Sequence, residues 1–80
     1  MTPMQFIRKQ IFKVDTQLEM AELLGYQQAT ISRYESGWRI SAVSQERIRR
    51  LAVDRGIAWN NDWFFSVPEN FTDGAGDLAA

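Results

Sequence analysis

Apolar residues recur along most of the chain at intervals of three and four, the spacing of helices with one face turned inward. Behind Thr2-Pro3, a capping hydroxyl followed by proline at the first helical position, Met4, Ile7 and Ile11 lead in this way to Phe12. Thr16-Gln17-Leu18-Glu19 has the form of a capping box: the hydroxyl takes one orphan N–H and the glutamate reaches back to another. Met20, Ala21 and Leu24 then mark a second buried stripe, closed by Gly25. A third helix is expected from Gln28 to Ser36, with Ile31, Tyr34 and Glu35 on one side and Gln28, Ala29, Ser32 and Arg33 on the other. Gly37 stops it. After Trp38 to Ala42 comes a longer helix with Val43, Ile48, Leu51 and Ala52 inside, Glu46 and Arg50 paired on its outer side, and its end at Gly56. A short last helix falls around Asn60 to Phe65, before Pro68. Only Trp63 to Val67 could extend into a strand. The expectation is an all-α, compact bundle of about five short helices, with at most a short extended segment in the C-terminal tail.

Composition narrows the chemistry more than the fold. Eighty residues, 45% of them apolar, suffice for one small domain, which buries about 60–65% of the surface its unfolded chain exposes. With no cysteine there is no disulfide framework, thiolate nucleophile or zinc knuckle, and with no histidine the commonest general base and transition-metal ligand are missing. Ser32, Ser36, Ser41, Ser44 and Ser66 have no base partner at a recognisable spacing, and there is no glycine-rich phosphate loop. The chain reads as a non-enzyme without cofactor, metal or small-molecule ligand. No run approaches the length of a membrane span and the amino end lacks a signal pattern, so a cytoplasmic protein is expected.

A formal charge of −1 argues at first against a polyanionic partner. The charge is uneven, however. All nine basic groups lie in the first 58 residues with six acidic ones, a balance of +3, whereas Asp62, Glu69, Asp73 and Asp77 give the remainder −4. The same end holds Trp59, Trp63, Phe64, Phe65 and Phe71, half of the aromatics, and then the Thr72 to Asp77 stretch, which has the composition of a frayed terminus. The division expected is a body over residues 1–65 and an acidic tail over 66–80, partly flexible or in contact with a second copy.

Two short helices with a glycine between them, the second running into Glu35-Ser36-Gly37, have the pattern of a helix-turn-helix. The stretch from Gln17 to Gly37 resembles the lambda-repressor-like or Cro-type DNA-binding family. The resemblance rests on Gln17 opening the second helix, Ala21 where two helices cross, Gly25 in the turn, Ile31 in the core, and Ile31-Ser32-Arg33-Tyr34-Glu35 closing the third helix. It implies that the third helix enters the major groove of double-stranded operator DNA. Gln28 would then pair with adenine, Arg33 with guanine and Ala29 with a thymine methyl, flanked by Gln27 and Ser32. Gln17, Thr30 and Arg39 would contact phosphate. A bacterial regulator at the nucleoid follows from the same resemblance.

The chain also departs from the family pattern. Gln10 stands where an arginine commonly pairs with the glutamate matching Glu35, which leaves Glu35 to Arg8 or to hydrogen bonds alone. Lys13-Val14-Asp15 replaces a turn that often holds glycine, and Gln27 replaces the usual serine or threonine cap.

Several groups admit two readings. Trp38 either stacks at a nucleic-acid backbone or fills the space between the third and fourth helices. Lys9 and Lys13 reach phosphate or are simply exposed. Arg47, Arg49, Arg50 and Arg55 spread round the fourth helix beside Glu46 and Asp54, which favours a solvated surface over a binding patch.

One reading helix spans about four or five base pairs, so a homodimer is expected. The tail holds more large rings than one short helix is expected to bury, which casts Trp59 and Trp63 as inward-facing and Phe64, Phe65 and Phe71 as candidate dimer contacts. The leading function is a small Cro-like phage or mobile-element repressor. The alternative is an antitoxin-type interaction module whose aromatic tail holds a protein partner.

Overall fold

The computed structural model describes residues 1–69 and Phe71. The expectations for residue 70 and for 72–80, including the frayed terminus, lie outside the described residues. The chain begins with a closed capping box: the Gln5 N–H donates to Thr2 Oγ1 at 3.4 Å and the Thr2 N–H donates to Gln5 Oε1 at 2.9 Å. From it runs α1 (Pro3–Phe6), which widens without a break into a π-helical turn over Ile7–Ile11. The wider turn is closed by the Phe12 N–H on the Ile7 carbonyl at 3.0 Å, and such turns are rare local insertions into an α-helix. It leaves Met4, Phe6, Ile7, Ile11 and Phe12 all buried.

Thr16 starts α2 (Gln17–Leu24) by accepting from the Glu19 N–H at 3.1 Å. The expected box there is only half formed. The Glu19 carboxylate takes the Thr16 hydroxyl at 3.3 Å instead of reaching back to the backbone. Gly25 ends the helix at φ 75°, a left-handed conformation that a side chain would strain. The Tyr26 N–H then donates to the Ala21 carbonyl at 2.8 Å, and the chain enters α3 (Gln28–Glu35). α2 and α3 pack on each other, α1 lies against α3, and α2 also touches α4 (Ala42–Asp54).

α4 turns the expected Ile48 and Ala52 inward, with Leu51 packed against the core, but at its start Ser44 takes the place expected of Val43. Val43 is 66% exposed, while Ser44 is buried beside Ile48 and Ala52. The Ser44 hydroxyl bridges Tyr26 Oη at 2.7 Å and Tyr34 Oη at 2.9 Å, so a polar side chain is satisfied inside by groups from two other segments. Apolarity alone could not mark it. The helix stops at Asp54, with Gly56 just beyond it.

The last element is a 3₁₀ turn (Asn61–Phe64), capped by Asn60 accepting from the Asp62 N–H at 2.9 Å. Among the described residues there is no strand, so the extended segment considered for Trp63 to Val67 does not form. The fold is all-α, four helices and a 3₁₀ turn. The tail rings pack back onto α1. Trp59 stacks on Phe12 at 6.2 Å, Trp63 meets Phe6 edge-on at 5.9 Å, and Phe71 meets Phe6 at 5.0 Å. Phe64 is buried and lies 5.1 Å from Trp59.

Two of these rings differ from the sequence reading. Phe64 is a core residue and Phe71 is half-buried in the protomer, whereas Phe65, the third expected dimer contact, stands exposed at 62%. Phe6 and Phe12 supply the edges and faces that the tail needs, and each such ring pair adds about 0.5–1.5 kcal/mol beyond area burial. One polar atom fares less well: the Trp59 indole N–H is buried without a hydrogen-bond partner among the described residues.

Candidate nucleic-acid interface

The outward side of α3 is set from within. Ile31 is fully buried and Glu35 nearly so, which orients Gln28, Ala29, Ser32 and Arg33 together into solvent. Glu35 is held by Arg8 from the π-helical turn that follows α1, with Nε on Oε2 at 2.6 Å and Nη2 on Oε1 at 3.2 Å. Arg8 Nη1 also donates to the Val14 and Asp15 carbonyls at 3.1 and 2.7 Å. The Thr2 hydroxyl donates to the Glu35 carbonyl at 2.9 Å. The carboxyl end of α3 is therefore fixed to the amino-terminal helical segment and to the loop before α2. Of the two possibilities left open for Glu35, the arginine is the one realised.

Gln27 precedes α3 with no side-chain cap bond, so its amide is exposed and uncommitted beside Gln28. Thr30 is half-buried in the first turn, and Arg39 is exposed beyond Gly37. Gln17 is placed less simply. Its side-chain amide donates to Glu35 Oε1 at 3.2 Å, which leaves its backbone N–H, in the first turn of α2, as the group free of an intrahelical partner. Arg33 lies at the end of the exposed face, with its guanidinium 5.6 Å over the Trp38 ring. Trp38 is 64% exposed. It does not fill the space between α3 and α4, a place taken by Tyr34 and Ser44. Burial by itself would raise the Tyr34 phenol, but hydrogen bonds to Ser41 and Ser44 outweigh it and hold the group below its ordinary value.

The arginines of α4 are each engaged within the chain. Arg47 Nη1 donates to the Leu24 carbonyl at 3.0 Å, at the carboxyl end of α2, with its guanidinium 4.8 Å over Tyr26. Arg49 bonds Asn61 and Glu46, and Arg50 bonds Glu46. Arg8 is the residue that the sequence reading undervalued. Its signal was its place four residues after Met4 and three before Ile11, a charge within an apolar stripe. Among the described residues no group of three or more acidic side chains could hold a metal ion, and no helix is long and apolar enough to cross a membrane.

A polar helix face in solvent, set across a glycine turn by a second helix and braced from the first, defines a helix-turn-helix. Residues 15–53 match the helix-turn-helix family model, and this domain belongs to the lambda-repressor/Cro-type family. No curated protein and no solved structure matches the chain. The family is a DNA-binding one and not typically enzymatic.

Proposed function

We propose that the protein is a sequence-specific transcriptional regulator, a small Cro-like repressor that binds operator DNA as a dimer. The observation that carries this reading is the five-residue face Gln27, Gln28, Ala29, Ser32 and Arg33, exposed together at the amino end and along the outer side of a braced α3. Gln28 and Arg33 have the forked donors that suit adenine and guanine edges, and Ala29 offers a methyl contact. Gln17, Thr30 and Arg39 flank this face as phosphate contacts, Gln17 through its backbone N–H. Trp59, Trp63, Phe64 and Phe71 pack within the chain and are therefore committed to its own core rather than to an antitoxin-type partner.

Selection of bound sites from a random DNA pool, followed by gel shifts on the selected site, tests the proposal. Arg33→Ala is expected to cost about 1–3 kcal/mol on the selected site and to relax preference at one position, whereas Arg39→Ala weakens all sequences alike. Equal losses on selected and random DNA for Arg33→Ala would overturn its base-reading role.

A further inference from the structure

We infer that the face carrying Trp38 and Phe65 is where a second copy of this chain docks, each copy's Phe65 seating beside the other's Trp38. The inference deepens the dimeric reading above and rests on it. Once the tail rings are packed, the large apolar groups left in solvent include Leu23, Trp38, Val43, Val53 and Phe65. Trp38 and Phe65 border one cavity between them, a hollow of about 260 Å³ whose walls include the buried Met4, Ile40 and Phe64. That volume is below the roughly 300–1,000 Å³ of small-molecule sites and suits a ring from another chain.

A protruding ring beside a hollow, both on one face, is self-complementary under a two-fold axis. Such an isologous contact closes as a dimer, whereas a hollow remote from its knob would propagate into a filament. The charges agree. Arg39 follows Trp38 directly, Asp62 and Glu69 lie three residues before and four after Phe65, and none of the three has an ion-pair partner among the described residues. Seating Phe65 against the partner's Trp38 brings a basic edge toward an acidic one. Val43 and Val53 on α4 lack this property, because Glu46 and Arg50 between them already pair with each other.

The face is also tied to the reading helix. The Trp38 N–H donates to the Arg33 carbonyl at 3.2 Å, and the Arg33 guanidinium lies over the indole. A two-fold axis here relates two α3 helices through a short, hydrogen-bonded connection. Two rings per copy make a small interface, so self-association is weak in free solution and strengthened on DNA, where both copies are held together.

The chain has no cysteine, which permits a clean covalent test. Trp38→Cys and Phe65→Cys chains are mixed and oxidised. Their heterodimer keeps one native Trp38–Phe65 contact and places the two thiols at the other, so a disulfide-linked dimer is expected from the mixture. Val43→Cys and Val53→Cys chains, treated alike, should stay monomeric. Sedimentation of the full chain should show concentration-dependent dimer, and Phe65→Asp should weaken it by about tenfold or more with an unchanged melting temperature. Binding of that variant to a duplex with one half-site should match the unaltered chain, while binding to the full selected site falls.

Only monomer at every concentration with and without DNA, or cross-linking through Val43 and Val53 instead, would overturn the inference. So would full dimerisation by Phe65→Asp, and that result would leave the DNA reading standing. If the chain bound no DNA, the disulfide and sedimentation results would still judge the surface on their own.

Discussion

Arg8 holds four oxygens at once, two on Glu35 and the carbonyls of Val14 and Asp15. Burying such a pair is costly, and breaking it is costlier, because the remaining charge is left without compensation. Arg8→Met is therefore expected to destabilise the fold by about 3–5 kcal/mol, and Arg8→Met combined with Glu35→Met by less, as read by denaturant melts. Glu35 itself was legible, since it shares a helix face with Ile31. Its partner was not fixed by the family pattern, which points to Gln10, although Arg8 sits within the apolar stripe of α1. Lys13 shows the opposite economy. It adopts φ 56°, where related turns often use glycine, and so keeps the turn at the expense of backbone strain.

At the level of elements, caps and glycine stops placed the helices, and Ile48, Leu51 and Ala52 marked most of the inner face of α4, but its first inward residue is Ser44 and not Val43. The stripe through Ser44, Ile48 and Ala52 begins with a hydroxyl, and it is inward because Tyr26 and Tyr34 supply partners that only the tertiary fold brings near. The π-helical turn in α1 was likewise invisible to periodicity, because Met4, Ile7 and Ile11 fit a regular helix equally well. Ser44→Ala should cost more than a surface serine, since two phenols lose a common partner. On the outer side of α4, hydrogen bonds from Arg50 and Arg49 hold the Glu46 carboxyl below the usual carboxylate range. A carboxyl lowered on folding stabilises above its unfolded value, and the contribution is lost as pH falls through the folded one. Glu46→Gln is thus expected to melt slightly lower than the unaltered chain at neutral pH and to converge with it in acid. The effect is small because the pair is exposed.

For the whole molecule, the net charge of −1 conceals a basic body and an acidic end. Asp73→Asn with Asp77→Asn should strengthen binding to random duplex at low salt, with the difference fading as salt rises, by gel shift or anisotropy. Truncation from residue 66 would be a poorer test, because Phe71 packs on Phe6 and Trp63. The destination of the tail rings was hard to read for the same reason. Their partners lie some fifty residues earlier in α1, and ring edges have no sequence period. The Arg8–Glu35 clamp has one more consequence. Glu35 lies in α3, but its brace comes from residue 8, outside the matched stretch of 15–53. The helix-turn-helix is therefore not a portable cassette, and an excised copy would leave a bare carboxylate in its own core. The five outward positions take no part in that clamp. Substitution there can change the face that α3 presents while the scaffold stays the same, so the surface can diverge without the fold.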